Sequence, residues 1–313
     1  MAETQLITAH TAEIGETHFA LRTGTTPPHA PTATIPLAVR GAHPTQARRA
    51  IVIIHGRRRD APFYADLAAA AFCDDAADVI VIAPQFLTAA DIAHHQLAAN
   101  SLHWSETGWM QGDFAEPDPA HGDRPISSFA ALDDLIDTLA DPTQYPALEH
   151  IIIAGHSGGG QLVQRFAILS NTSRPVRFVV ANPSSYTWFG SDRPHSDPAN
   201  THPTRWKYGL DARPAYGAPL DDAALEQRYI ARDVHYLLGM LDCDPHHAML
   251  DRSPAAMSQG ANRLARGRNF WANLRQRHGA ALRHHYLEIP NIAHEPAKLF
   301  ADPAAKPIFW PGA

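Results

Sequence analysis

One stretch constrains this chain more than any other: Ile151-Ile152-Ile153-Ala154-Gly155-His156-Ser157-Gly158-Gly159-Gly160, followed by Leu162-Val163-Gln164-Arg165-Phe166-Ala167. The β-branched apolar run predicts a buried strand and the amphipathic stretch predicts a helix, so a sharp turn with Ser157 at its apex must join them. A serine held at such an elbow has a strained backbone, and its neighbours pass so close together that Gly155 and Gly159 are needed to avoid side-chain clashes. Gly-x-Ser-x-Gly also arises by chance in loops. The strand before it and the helix after it are the context that a chance match lacks.

The chain has 313 residues, of which 45% are hydrophobic and 19% charged, enough to bury a substantial core in a large α/β domain. Apolar runs bounded by breakers predict strands at His18–Arg22, Ile35–Arg40, Ala50–Ile54, Val79–Ala83, His150–Ala154, Phe178–Ala181, His235–Leu238 and His285–Ile289. Helical patterns fall at Ala61–Phe72, Ser127–Leu139 and Leu162–Leu169, with further segments inside Asp221–Arg232 and Ala255–Arg277. This alternation predicts a parallel sheet covered on both faces.

Two stretches break the rhythm. Residues 184–233 are rich in Pro, Asp, Ser, Tyr and Trp and have little period before Asp221, so a single domain over 1–313 is expected with this segment inserted after the sixth strand as a lid or cap. Gln85–Arg124 is also irregular and carries Phe86, Trp104, Trp109 and Phe114. Long irregular segments often carry function, which makes Trp104, Trp109, Tyr186 and Trp188 expected walls of an apolar substrate site. The alternative is that these rings anchor their segments to the domain.

The formal net charge of -6 gives no overall attraction to phosphate backbones or anionic lipid, so neither nucleic acid nor a membrane surface is an expected partner. No run approaches the roughly 18 apolar residues of a membrane span, and Met1–Glu16 lacks the pattern of a secretory signal. Cys73 and Cys243 are far apart, without metal-ligand spacing, and suit a reducing, cytoplasmic setting. The histidine pairs His94-His95, His246-His247 and His284-His285 have no partner at helical i+4 to complete a ligand set, so no metal is expected. The glycines around Ser157 are not followed by Gly-Lys-Ser/Thr, which excludes a phosphate loop.

A serine hydroxyl is a weak nucleophile, and Ser157 requires a base to take its proton and an acid to orient that base. His294 lies in Pro290-Asn291-Ile292-Ala293-His294-Glu295-Pro296, just past the last predicted strand. Asp242 lies in Gly239-Met240-Leu241-Asp242-Cys243-Asp244-Pro245, just past the strand before it; Asp244 is a rival whose place before proline suits a turn. Two amides should receive a developing oxyanion: that of Gly158, after the serine, and that of Arg57, after His55-Gly56. Gly56 could instead only make the turn. The adjoining Arg57-Arg58-Arg59-Asp60 is either an anchor for an anionic substrate group or a solvated loop with one arginine paired to an acid.

These residues resemble the α/β-hydrolase superfamily over positions 50 to 300, through Ile53-Ile54-His55-Gly56, Gly155-His156-Ser157-Gly158-Gly159, Leu238-Gly239-Met240-Leu241-Asp242 and Ile289-Pro290-Asn291-Ile292-Ala293-His294. Ala83-Pro84-Gln85-Phe86, Ala181-Asn182-Pro183-Ser184-Ser185-Tyr186 and Gln259-Gly260-Ala261-Asn262-Arg263-Leu264-Ala265-Arg266-Gly267 are similar to a little-characterised bacterial and fungal branch. The resemblance implies a mostly parallel eight-stranded sheet and cofactor-free hydrolysis by Ser157, Asp242 and His294, the superfamily's chain order. The expected substrate is a small carboxylic ester. Amide or peptide cleavage by the same residues, and ligand binding without catalysis, are the alternatives. The last motif departs from the common pattern in having Ala293 before the histidine and Glu295 after it, so Glu295 could compete for the imidazole.

Overall fold

The computed structural model of the protein describes residues 10–21, 33–73, 76–117, 125–195, 202–217 and 219–310. Eight strands form one mostly parallel sheet: β1 (Thr17–Ala20), β2 (Thr34–Gly41), β3 (Arg49–Ile54), β4 (Val79–Pro84), β5 (His150–His156), β6 (Val176–Ala181), β7 (Asp233–Gly239) and β8 (His285–Ile289), in the order β1-β2-β4-β3-β5-β6-β7-β8. β2 runs antiparallel to β1 and β4, whereas β3 pairs parallel with β4, and β7 with both β6 and β8. Buried strands read as unbroken apolar runs because both faces are covered: every residue of β4, Val79-Ile80-Val81-Ile82-Ala83-Pro84, is buried. The edge strands β1 and β8 are polar and partly exposed, which blunts their unpaired backbone groups.

The α-helices are α1 (Ala61–Phe72), α2 (Ala89–His95), α3 (Ser128–Leu139), α4 (Gly158–Leu169), α5 (Asp222–Ile230), α6 (Pro254–Met257), α7 (Arg263–His278), α8 (Pro296–Ala301) and α9 (Lys306–Phe309). The expected pattern inside Ala255–Arg277 is interrupted. Gly260 adopts φ +152, and Asn262 then starts α7 by accepting the amide of Ala265 at 2.8 Å, a cap worth about 1 kcal/mol. Of the predicted first strand, Arg22 lies outside the described residues. Short α2 was not expected, because its one buried residue is the charged Asp91 and it has no apolar stripe to betray it.

The chain packs as two compact units, Met1–Ile153 with Asn171–Pro175, and Ala154–Ser170 with Val176–Ala313. In the first, Arg59 is buried and forms a two-pronged ion pair with Asp91, Nε to Oδ2 at 2.6 Å and Nη2 to Oδ1 at 3.1 Å. Asp91 also accepts the amides of Thr88 and Thr11 at 2.7 and 2.5 Å. Gln85 ties the same region together, donating to the carbonyls of Arg59 and Glu13 and accepting from Gly15 N–H. Arg59 therefore serves the architecture of this unit, and of the three arginines in the cluster only Arg57 and Arg58 keep exposed surface.

The aromatic residues expected to wall a substrate site are interior. Trp104 and Trp109 are 1% and 0% exposed and pack on Phe86 with ring centroids 5.3 and 5.8 Å apart. Tyr186 and Trp188, in the second unit, are 0% and 2% exposed and pack on Phe270 of α7 at 4.7 and 5.5 Å. Rings closed on all sides offer no face to a ligand, and their large apolar area explains the burial. The expected lid segment is likewise partly built into its unit. Residues 184–189 are buried, and Arg228 at the end of α5 donates to the carbonyls of Ile168 and Leu169 at the end of α4.

Candidate active site

At the end of β5 the chain turns through Ser157 at φ 58, ψ −116 and enters α4, a conformation that only tight surroundings sustain in a non-glycine residue. The surroundings are tight at both flanking glycines. A Cβ on Gly155 would lie 2.4 Å from the backbone of Gly159, and one on Gly160 would lie 2.6 Å from the carbonyl oxygen of Ala181. Ser157 N–H donates to that same Ala181 oxygen at 3.0 Å, fixing the elbow to the end of β6. Gly158 follows as the first residue of α4, where helix amides point outward without an intrahelical acceptor.

The loops after β7 and β8 are joined by their backbones. Met240 N–H donates to Ile289 and Leu241 N–H to Ile292, at 2.9 and 2.8 Å. Gly239 permits this approach, since a Cβ there would lie 2.4 Å from the Ile292 oxygen. Asn182, just past β6, accepts the amide of Gly239 at 3.0 Å and donates to the carbonyl of Ala293 at 3.3 Å. One amide side chain thus braces the approaches to both Asp242 and His294. In the sequence Asn182 is one residue of the Ala181–Tyr186 stretch; its reach to positions 239 and 293 is visible only in three dimensions.

The three side chains meet. His294 Nε2 lies 2.9 Å from Ser157 Oγ, and His294 Nδ1 lies 2.7 Å from Asp242 Oδ2. The carboxylate can only accept, so Nδ1 carries the proton and Nε2 presents its lone pair to the serine hydroxyl. Asp244 does not join them: it is exposed, and its Oδ1 accepts the amide of His246 at 2.8 Å, a turn-forming bond. Glu295 does not compete for the imidazole either, because Oε1 pairs with Lys298 at 2.6 Å and Oε2 accepts Ala293 N–H at 3.4 Å.

A fourth residue, missed in the sequence, completes the arrangement. Arg263, the first residue of α7 and 1% exposed, donates from Nη1 to Asp242 Oδ1 at 3.2 Å and from Nε to Ser184 Oγ at 3.0 Å. Each oxygen of Asp242 therefore has its own partner. Leu264 N–H adds a backbone bond to Asp242 O at 3.1 Å. The segment quoted as a family phrase, Gln259 to Gly267, grips the exit of β6 as well. Gln259 exchanges two hydrogen bonds with the backbone of Tyr186, and Arg266 donates to the carbonyl of Ser184.

Electrostatics follow from this enclosure. Burial pushes the Asp242 carboxyl up, but the hydrogen bond and charge of His294, together with Arg263, outweigh it and hold Asp242 below the usual carboxylate range. His294 is held below the ordinary imidazole value by burial and by the Arg263 charge, against the raising effect of Asp242. Two more imidazoles flank it, His156 at 4.4 Å and His247 at 5.2 Å between ring centroids. His156 is driven well down by burial first, then by competition with the neighbouring His294 imidazole for a proton and by the Arg263 charge. At neutral pH the arrangement is an ionised acid, a neutral base and a hydroxyl in a hydrogen-bonded row, able to pass a proton from Ser157 to His294.

Arg57, the other expected amide donor, lies in the first unit. There His55 shapes the turn, donating from Nδ1 to the Gly56 carbonyl at 2.8 Å and accepting Phe86 N–H at Nε2 at 2.9 Å. Burial pushes this histidine down to about 4, so it stays neutral.

No protein-family profile matches the chain, and no curated protein does. Solved structures do match. Poly(aspartic acid) hydrolase-1 from Sphingomonas sp. KT-1 is 26% identical, with a TM-score of 0.65 over 95% of this chain and 99% of that one. A poly(3-hydroxybutyrate) depolymerase from Bordetella parapertussis is 23% identical, with a TM-score of 0.60 over 86% of this chain and 83% of that one. Among the described residues no helix is long and apolar enough to cross a membrane.

Proposed function

We propose that this chain, an α/β hydrolase by fold, is a serine hydrolase that cleaves carboxylic esters through an acyl-enzyme. The observation that carries the reading is the row of bonds from Ser157 to His294 to Asp242, at 2.9 and 2.7 Å. Ser157 Oγ attacks the ester carbonyl carbon while its proton passes to His294 Nε2. The tetrahedral oxyanion is received by the amide of Gly158; the second donor is assigned to Arg57 from the sequence pattern alone. The intermediate collapses, the ester C–O bond breaks, and His294 returns the proton to the departing alcohol. Water, deprotonated by His294, then attacks the acyl carbon, releasing the acid and restoring Ser157. Asp242 stays ionised throughout.

A second reading, amide cleavage by the same residues, is favoured by the likeness to a hydrolase named for poly(aspartic acid), a polymer linked by amides. A matched ester and amide with the same acyl group separates the two. The ester reading expects the ester to be turned over at a kcat/KM at least 10²-fold above the amide; a ratio near one overturns it. Anionic and neutral esters run alongside test Arg57 and Arg58. If these arginines recognise anions, Arg58→Ala lowers kcat/KM for the anionic ester selectively, and salt does the same to the wild type.

Arg263 is assigned as a positioning residue that holds Asp242 in line with the imidazole. His294 must be neutral to act as base, so kcat/KM rises with pH through the His294 pKa. The Arg263 charge depresses that pKa. Arg263→Met is therefore expected to move the acidic limb of the pH profile upward and to lower kcat by about 10²-fold through misalignment. Arg263→Lys, which keeps the charge but loses the fork, should keep the limb low and recover only part of kcat. A limb that does not move in Arg263→Met would reduce Arg263 to a packing role.

A further inference from the structure

The adjacent histidines at the end of α2 looked incomplete as metal ligands because nothing near them in sequence supplies a third. The fold supplies it from 84 positions away. His10, His94 and His95 each offer one ring nitrogen, and the three nitrogens lie within 4.8 Å of one another. All three residues belong to the first unit. We propose that they form a surface site for a late first-row divalent cation, with Zn²⁺ the ion it suits and water completing a tetrahedron.

The position of His10 is not accidental. Thr11, next in the chain, is 1% exposed; its amide donates to Asp91 Oδ1 at 2.5 Å and its hydroxyl to the Arg59 carbonyl at 3.2 Å. The buried Arg59–Asp91 pair thus nails the segment against α2. The carbonyl of Thr11 then faces two of the three rings, 3.2 Å from His10 Nδ1 and 2.9 Å from His95 Nε2. A carbonyl only accepts, so each of those two nitrogens carries a proton when it bonds to Thr11. A ring N–H directed at a backbone carbonyl is the usual means by which a metal-binding histidine is fixed in its tautomer and orientation.

The three rings are packed together. His10 and His94 stack at 3.5 Å with planes 7° apart, and His95 lies edge-on to His94 at 4.8 Å. Three imidazolium ions in this arrangement would repel one another. Zn–N bonds of about 2.0–2.1 Å put tetrahedral nitrogens about 3.3 Å apart, so the ion requires the stacked rings to splay and the nitrogens to close slightly. His94 is exposed and His10 and His95 half-buried, which leaves room for that rotation.

The other cluster of this kind among the described residues, Asp233, His235 and His285, is a weaker candidate. Asp233 already holds Arg177 Nε at 2.7 Å and His235 Nε2 at 2.8 Å.

Zn²⁺ alone, titrated into the full-length protein against a micromolar-affinity indicator, tests the proposal with no reference to turnover. The expected result is one tight ion per wild-type chain. His94→Ala and the double variant His10→Ala/His95→Ala should each weaken it at least tenfold, while His285→Ala leaves it in place. Zn²⁺ should raise the melting temperature of the wild type but not of these two variants, whose metal-free melting temperatures match the wild type. Equal affinity and stoichiometry in wild type and both variants, or loss of the tight ion in His285→Ala instead, would overturn the proposal.

Discussion

Ser157→Ala is expected to lower kcat for esters by about 10⁶-fold, the scale on which serine-hydrolase nucleophiles are missed, and to abolish covalent labelling by a fluorophosphonate probe. The magnitude is large because no other group in the row can form the acyl-enzyme: without Oγ, His294 has no proton to accept from protein. The substitution keeps Cβ, so the backbone at φ 58 and the contacts at Gly155 and Gly160 are unaltered, and melting temperature and KM should change little. Equal labelling of Ser157→Ala and the wild type, or turnover within tenfold of it, would end the proposed mechanism. Tight ligand binding without turnover by the wild type would favour the noncatalytic reading instead.

Asp242→Asn should be the next most damaging change, costing about 10⁴-fold in kcat. The amide can present N–H to His294 and turn the imidazole so that its Nε2 bears the proton and cannot accept one from Ser157. The substitution also costs stability, because Arg263 is 1% exposed and Asp242 is the carboxylate bonded to it. Neutralising one member of a buried pair leaves the other charged in a poor solvent, a loss on the order of 3 kcal/mol. Asp242→Asn should therefore combine the drop in kcat with a lower denaturant midpoint. Asp244→Asn, at an exposed turn, should alter neither by more than about twofold in rate or 0.5 kcal/mol in stability. The reverse pattern would move the role to Asp244.

What could be read from the sequence, and what could not, divides along a physical line. Strands of unbroken Val and Ile, and a serine between a strand and a helix, are local signals set by backbone geometry, and the sheet follows from them. Asp242 and His294 could be singled out because each stands just beyond a strand, even though they are 52 positions apart. Arg263 gave no such signal: an arginine at the start of a polar helix looks solvated until the fold buries it against an acid 21 positions away. Asn182 and His10 were hidden in the same way. The tryptophans misled for the opposite reason. A large ring in an irregular segment resembles a pocket wall, but its area is most readily hidden in the core, and the irregular chain bends to let it in.

The bonds linking the loops after β7 and β8 are made by main-chain atoms, which leaves the side chains of that loop pair unevenly constrained. Met240 and Leu241 are 39% and 53% exposed while their amides make the cross-links. Gly239, by contrast, has backbone where any side chain would begin. Natural variation or a mutant library could recode residues 240 and 241 almost at will, altering how this rim meets a substrate, while the neighbouring glycine must be inherited unchanged for the proton relay to survive.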